Sequence, residues 1–481
     1  MKPKRAIEIV QFWVPAAGLL TAILLRFLFL ASNDVAMDEP FTVFFAQTDL
    51  HTLFGMLPQE NNPPLFFLLM HSWVGWFGIS PFAVRFLSCI FSILTAIMLF
   101  KTGKAFYSPQ TGFFAAALFT LSDYHQLFAH EARVYSLFAL LTVVSMYLFL
   151  ALAAYPLKKR YLFLLAATNM LLIYAHFFGF FIFLIQGLSV LFIPEYRRTI
   201  LKPYVGSVSL TLISYIPYFP VFFARFFQAS TGGTWVQPPV ISDLYTMVWR
   251  YLNAPVVTVA VLGILAAALV KFILGISKGK TGWKNRNTVL VIWFFVPFLS
   301  MFLVSFKIPM FLDRYTVFIS AGFYLLVSVA LNSLCRGTKP AWILMTVFIL
   351  MMAVTFHPGV DNKRRLSDAV NFISGNKTQR TSVIICPQWL EYGFAYHYSQ
   401  PVFRDYKHLR TLLNREGIYP ANDLSLLDTV KLRNSEQVLL FEEWSSVADP
   451  GQTLFKYLDR EFRFKKTTLF YENFKVHQYV K

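Results

Sequence analysis

Charge is scarce in this chain. Of 481 residues only 14% are Asp, Glu, Lys or Arg, against 56% hydrophobic and 18% aromatic. A water-soluble globule of this length does not show so apolar a composition, so the pattern excludes a soluble enzyme and requires a polytopic membrane protein. Cysteine is nearly absent. Cys89, Cys335 and Cys386 stand far apart, which leaves neither a disulfide framework nor a C-x-x-C metal knuckle, and redox chemistry is not expected. There is no G-x-G-x-x-G or Walker loop, no internal repeat and no low-complexity tract, so nucleotide binding has no support. The first apolar run, about residues 10–31, is too long for a signal-peptide core and is followed by no A-x-A site. It reads as an uncleaved anchor.

Acid is short as well, with 25 Asp and Glu against 43 Lys and Arg. In a soluble chain the net +18 would suggest nucleic acid; in a membrane protein the positive-inside rule accounts for it. Further apolar runs lie at about 65–78, 81–100, 111–128, 135–155, 161–175, 177–193, 204–223, 255–274, 289–306, 315–334 and 341–356. If 65–78 crossed the bilayer, the clusters at Lys101/Lys104, Lys158–Arg160, Arg197–Lys202, 271–286 and Arg336/Lys339 would all lie outside. If it lies in the interface they join the N-terminus inside, giving 18 Lys and Arg there against Arg133, Arg225, Arg250, Lys307 and Arg314 outside. That run is also short of the ~20 residues a span needs, and it carries His71, Trp73 and Trp76. The expectation is eleven spans, N-terminus cytoplasmic, with residues 32–80 forming a first outer loop with interfacial helices.

This assignment sorts the acids without having used them. Of the eleven in residues 1–357, Asp34, Asp38, Glu39, Asp49, Glu60, Glu131, Asp243 and Asp313 fall in outer loops, Asp123 in the outer part of a span, and Glu8 and Glu195 inside. Topology alone does not demand this, because acids contribute little to orientation. After residue 357 the composition changes: residues 358–481 hold 18 basic and 14 acidic residues, with strand-like runs at 382–386, 437–441 and 466–471. This reads as an extracytoplasmic soluble α/β domain. Its stretch "PQWLEYGFAYHY" suits either carbohydrate stacking or ordinary core packing.

Taken singly, the outer motifs have bland readings: solvated loop acids for Asp38-Glu39, a boundary ion pair for Glu131 and Arg133 in "HEARVY", a core histidine for His176 in "YAHFFG", interface anchors for Arg314 and Tyr315 in "FLDRYTVF". Together they put carboxylates, arginines, a histidine and tyrosines at one expected depth, with Arg26 and Arg85 inside apolar runs near the same side. Guanidinium groups hold phosphate in bidentate fashion, and a carboxylate can take a proton from a hydroxyl. A phosphate-bearing lipid substrate fits. Transporters place their charges nearer the midplane on repeated halves, a pattern this sequence lacks.

The succession DE in the first outer loop, NPPL before an aromatic-rich helix, Ala83-Val84-Arg85, EARVY, YAHFFG and DRY resembles bacterial class C glycosyltransferases of the protein O-mannosyltransferase and lipid A aminoarabinose transferase type, over about residues 10–335. The resemblance implies a class C glycosyltransferase fold in the bacterial cytoplasmic membrane, residues 1–357 forming the transmembrane domain. It implies transfer of a sugar from a polyprenyl-phosphate donor to a hydroxyl of a lipid, glycan or protein, with inversion. It also implies that Asp38 or Glu39 is the essential acid, with Glu131 as the second acidic motif and Arg314 as the arginine of the DRY-like motif. From the residues themselves, Arg85, Arg133 or Arg314 can neutralise the leaving phosphate, with Tyr135 and Tyr315 beside them as donor-site candidates. In the aminoarabinose transferases an acid just before the double proline and a histidine contribute to a metal site. Here Asn61-Asn62 stand in place of Glu-Lys, with Glu60 one position back, so Glu60 and His176 are weak metal candidates and no cofactor is assigned, a divalent metal staying open. The alternatives are a polyprenyl-linked sugar transporter or flippase, and an envelope-assembly scaffold. Nucleic acid is not an expected partner.

Overall fold

The computed structural model of the protein describes residues 17, 20–21, 23–232, 236–277, 284–359, 361–362, 364–470 and 474–481. The expected anchor at 10–31 lies partly outside the described residues, and Lys2, Lys4, Arg5, Lys278, Lys280 and the end of the expected strand at Tyr471 lie outside them. The chain divides into two compact units. One holds Met1–Leu28, Phe54–Phe66 and Arg85–Val360; the other holds Phe29–Leu53, Phe67–Val84 and Asp361–Lys481.

The first unit is helical. Six of the described helices are long and apolar enough to cross a membrane: Pro81–Phe106, Tyr135–Ala154, Leu201–Gln228, Pro255–Gly275, Asn285–Val304 and Val317–Leu334. Apolar side chains gain nothing by leaving lipid for each other, so close packing and shared polar groups hold such helices together. Val317–Leu334 is the most enclosed, and it packs against Pro109–Thr120, Tyr135–Ala154, Pro255–Ser277 and Asn285–Val304. Gly322 faces the indole of Trp293, where an added Cβ would lie 2.7 Å from the ring, and Trp293 Nε1 donates to Phe318 O at 3.0 Å. Gly103 and Gly112 let two helices touch backbone to backbone. Ser145, Asn169 and Gln186, from three helices, close a buried ring of hydrogen bonds: Ser145 Oγ to Asn169 Oδ1 at 2.5 Å, Asn169 Nδ2 to Gln186 Oε1 at 3.2 Å, Gln186 Nε2 to Ser145 Oγ at 2.8 Å.

One expected element is corrected. The run at 111–128 is two helices, Pro109–Thr120 and Asp123–Ala129, because the intervening Leu121-Ser122 backbone is held elsewhere. Asn253 accepts from Asp123 N at 2.8 Å and donates to Leu121 O at 2.7 Å, and Ser122 Oγ donates to Tyr251 O at 3.1 Å. Those bonds satisfy the backbone groups that a continuous helix would have paired internally.

The second unit is built on a five-stranded sheet of order β2-β1-β3-β5-β4. Its strands are β1 (Thr381–Cys386), β2 (Ile418–Pro420), β3 (Gln437–Glu442), β4 (Arg463–Phe470) and β5 (Phe474–Val480). β2, β1 and β3 run parallel, with Val383 opposite Ile418 and Leu439; β5 is antiparallel to β3 and β4. β1 is buried throughout, as a strand flanked on both sides should be. Two segments from early in the chain belong to this unit. The helix Asp38–Ala46 packs on the helix Glu391–Tyr398, where Tyr392 sits among Phe41, Phe44 and Phe45. The helix Leu65–Phe77 has 13 residues, too few to span ~30 Å at ~1.5 Å each. The aromatic stretch at 387–398 is core: Phe394 is buried, Tyr396 Oη donates to Ile79 O at 2.7 Å, and Trp389 is its exposed large ring.

Candidate active site

The residues singled out by sequence divide between the units. Asp38 and Glu39 belong to the second; Arg85, Glu131, Arg133, Tyr135, Arg314, Tyr315, Glu60 and His176 belong to the first.

In the second unit Asp38 and Glu39 form the first turn of Asp38–Ala46, where the helix dipole favours negative charge. The preceding Met37 has φ 57, a left-handed conformation that costs a non-glycine residue about 1–2 kcal/mol. It turns the chain sharply into the helix. Glu39 is 1% exposed and Asp38 is partly exposed. Asp34 has a separate, structural duty: its Oδ2 accepts from Ser367 N at 2.7 Å, and its carbonyl accepts from Asn362 Nδ2 at 3.1 Å. Asp49 caps its own helix through Thr52. Asp34 ties the segment before the acid pair's helix to the α/β segment, and Tyr406 Oη, donating to Asp49 Oδ2 at 3.1 Å, ties the segment after it.

In the first unit the two short turns around His176 and Tyr315 meet. His176 stacks on Phe138 with centroids 4.6 Å apart, and its ring lies 6.3 Å from that of Tyr135 and 6.0 Å from that of Tyr315. The guanidinium of Arg314 lies 5.9 Å over the Tyr135 ring, a cation–π geometry. His176 Nδ1 accepts from Phe178 N at 3.1 Å, and the other ring nitrogen, Nε2, is buried with no hydrogen-bond partner among the described residues. Arg133 and Glu60 form a buried ion pair at 3.2 Å, Glu60 also accepting from Asn62 Nδ2 at 3.2 Å. Arg133, read from sequence as a boundary partner of Glu131, thus has an ion-pair partner that reading did not name, 73 residues away. Arg85 is fully buried in its helix, and Glu131 is buried. Arg26 donates to Gln126 Oε1 and to Phe119 O, so it ties helices together. Asp313 pairs with Arg250, and Asp123 with His357.

A cavity of about 520 Å³ opens beside this cluster within the same unit. Its apolar wall is made by phenylalanines of the segments 177–181 and 222–226 with Val304 and Ile308; its polar part is Asn61, His176, Arg225, Gln228 and Tyr315. Arg225 donates to Asn61 Oδ1. Sequence reading missed Arg225 and Asn61 as site residues, and the only available signal was an arginine amid the phenylalanines of "FFARFF". A larger cavity, about 660 Å³, runs between Pro255–Ser277, Asn285–Val304 and Val317–Leu334. Its lining is aliphatic and aromatic with Lys271 as the one charged side chain among the described residues, so it offers little for chemistry. Among the described residues no group of three or more His, Cys, Asp and Glu side chains is placed to hold a metal ion. Glu60, already engaged by Arg133 and Asn62, fits poorly as a ligand.

No protein-family profile matches the sequence, and no curated protein matches it. Solved structures do. ArnT from Cupriavidus metallidurans in the apo state matches with a TM-score of 0.61 at 12% identity, over 97% of this chain and 97% of that chain. The same protein bound to undecaprenyl phosphate matches at 0.59 and 12% identity, over 97% and 98%. The archaeal oligosaccharyltransferase AglB from Archaeoglobus fulgidus, in complex with an inhibitory peptide and a dolichol-phosphate, matches at 0.51 and 11% identity, over 90% of this chain and 70% of that one. Identities this low speak for architecture, and the architecture is unambiguous over nearly the whole length: this chain has the class C glycosyltransferase fold.

Proposed function

We propose that the protein is a membrane glycosyltransferase that moves a sugar from a polyprenyl-phosphate donor to a hydroxyl of a lipid, glycan or protein, with inversion, on the outer face of the bacterial cytoplasmic membrane. The observation that carries this reading is the cavity beside His176 and Tyr315, a mostly apolar, phenylalanine-rich wall with a few polar side chains including Arg225, in a fold shared with proteins solved with undecaprenyl phosphate and dolichol-phosphate. A prenyl chain suits its phenylalanine wall, and a phosphate suits arginine.

Outside the cytoplasm no nucleotide pool exists, so an activated sugar must arrive on a lipid. The acceptor oxygen attacks the anomeric carbon, the bond from that carbon to the phosphate oxygen breaks, and polyprenyl phosphate leaves with both electrons of that bond. The acceptor's proton passes to a base, and we assign Asp38 to it, with Glu39 orienting it. Arg85, Arg133 and Arg314 would meet the growing charge on the phosphate, with Glu131, Tyr135 and Tyr315 shaping the donor site. Glu60 is already taken up by Arg133 and Asn62, which leaves it a poor metal ligand beside His176.

The test is consumption of radiolabelled polyprenyl-phosphate sugars by the purified protein and its Asp38→Asn variant. General-base catalysis contributes roughly 10²–10⁴-fold, so wild type consumes one donor and the variant loses about that factor. If no donor is consumed while polyprenyl phosphate still binds, the transporter or scaffold reading replaces this one.

A further inference from the structure

Two adjacent acids lie at the end of strand β3, Glu442 as its last residue and Glu443 just beyond it, and they are treated differently. Glu442 is fully engaged: Oε1 meets Lys475 Nζ at 3.2 Å and His477 Nε2 at 3.4 Å, and Oε2 accepts from Ser445 N at 3.2 Å. Glu443 is 4% exposed, yet its Oε1 has no hydrogen-bond partner among the described residues. A buried carboxylate oxygen left unpaired is unfavourable, and such groups in native folds ask for an explanation.

Its position suggests one. Glu443 N donates to Cys386 O at 3.3 Å, which puts it at the carboxyl ends of the parallel strands β1 and β3. The chain goes from β1 to β2 on one side and returns to β3 on the other, so this is the sheet's switch point, where open α/β sheets place functional groups. Three charged groups lie within electrostatic reach of it from three segments: Glu442 next to it at the end of β3, Arg364 ahead of the helix Leu366–Asn376, and Asp38 at the start of Asp38–Ala46. Lys475 and His477 of β5 are turned to Glu442.

We propose that Glu443 is a positioning residue for the reaction: when ionised beside Asp38 it strengthens that carboxylate as the base for the acceptor's proton, and when protonated it weakens it. The inference rests on Asp38 being that base. Burial, reinforced by Glu442 and Asp38 against the opposing Arg364, pushes the Glu443 carboxyl up to about 7, so both states are populated near neutrality. Glu442, against its own burial, is held by His477, Ser445 and Lys475 so that it falls to about 2 and stays ionised.

The test uses the full-length protein. In wild type the transfer rate rises with pH through about 7. Glu443→Gln runs at the wild type's acid-side rate across that range, about tenfold below the plateau, with donor KM unchanged; Glu443→Asp regains part of the rise. A Glu443→Gln enzyme that keeps the rise and the plateau overturns the proposal, since a merely structural residue would not move the profile. Infrared titration of the protonated carboxyl band provides a second readout that needs no turnover. A band titrating near 7 appears in wild type, shifts to lower pH in Asp38→Asn, and is lost in Glu443→Gln; an unshifted band in Asp38→Asn overturns the coupling. If no donor is consumed while the band shifts as expected, the proposed function fails and the coupling of Glu443 to Asp38 stands.

Discussion

Arg133 and Glu60 are each buried and depend on each other. Removing one partner of such a pair leaves an uncompensated charge, worth about 3–5 kcal/mol, whereas neutralising both costs far less. Arg133→Ala should therefore lower the unfolding temperature in detergent markedly, and the Arg133→Gln/Glu60→Gln double variant should recover most of it. Glu443 supplies a pH signature at the same scale. Its folded-state carboxyl lies near 7 against an ordinary 4.5, so between those pH values the unfolded chain releases a proton that the folded one keeps. Stability falls as pH rises through that window and is lowest above 7. Glu443→Gln should thus stabilise the protein at pH 8 by about 1–3 kcal/mol and leave it little changed at pH 4, read as the shift in thermal midpoint at the two pH values. Glu442 acts oppositely, its contribution being present above about 4.5 and lost as pH falls toward 2. Acid pairs such as Asp38-Glu39 could be read from sequence because they interrupt an apolar background; Glu443 could not, because in a segment of ordinary polarity one glutamate resembles the next.

At the scale of elements, long apolar runs translated well into helices, and the strand-like runs at 382–386 and 437–441 became β1 and β3. Periodicity missed the break at Leu121-Ser122, since Asn253 and Tyr251, which hold it, lie about 130 residues away. The short β2 was equally hidden: its pairing partner β1, not its own three residues, makes it a strand. The enclosed helix Val317–Leu334 depends on a contact that forms only on folding. Gly322→Ala drives a methyl into the indole of Trp293, and overpacking of this kind typically costs about 1–3 kcal/mol. The measurement is thermal unfolding of Gly322→Ala alone and with Trp293→Phe; the smaller ring should restore part of the loss.

For the whole molecule, the charge asymmetry makes a prediction about sidedness. A cysteine placed at exposed Lys159 should be protected from a membrane-impermeant thiol reagent in intact cells, while one at exposed Ser425 in the α/β unit should react, the native Cys89 and Cys386 being buried. The reverse labelling pattern would invert the topology and take the outer-face reaction with it.

Composition alone determined that the chain is a membrane protein, and the spacing of basic clusters determined an expected orientation, because water and lipid sort residues one at a time. The motifs DE, EARVY, YAHFFG and DRY, each a local pattern of neighbouring residues, likewise marked Asp38, Glu131, His176 and Arg314. Only the tertiary structure decided that Arg133 partners Glu60, that Asp38–Ala46 is anchored in the α/β unit by Tyr392, and that Glu443 lies buried with Asp38 within electrostatic reach. Those pairings join segments tens to hundreds of residues apart. Which distant groups meet is set by how helices and strands pack, and no local pattern encodes it.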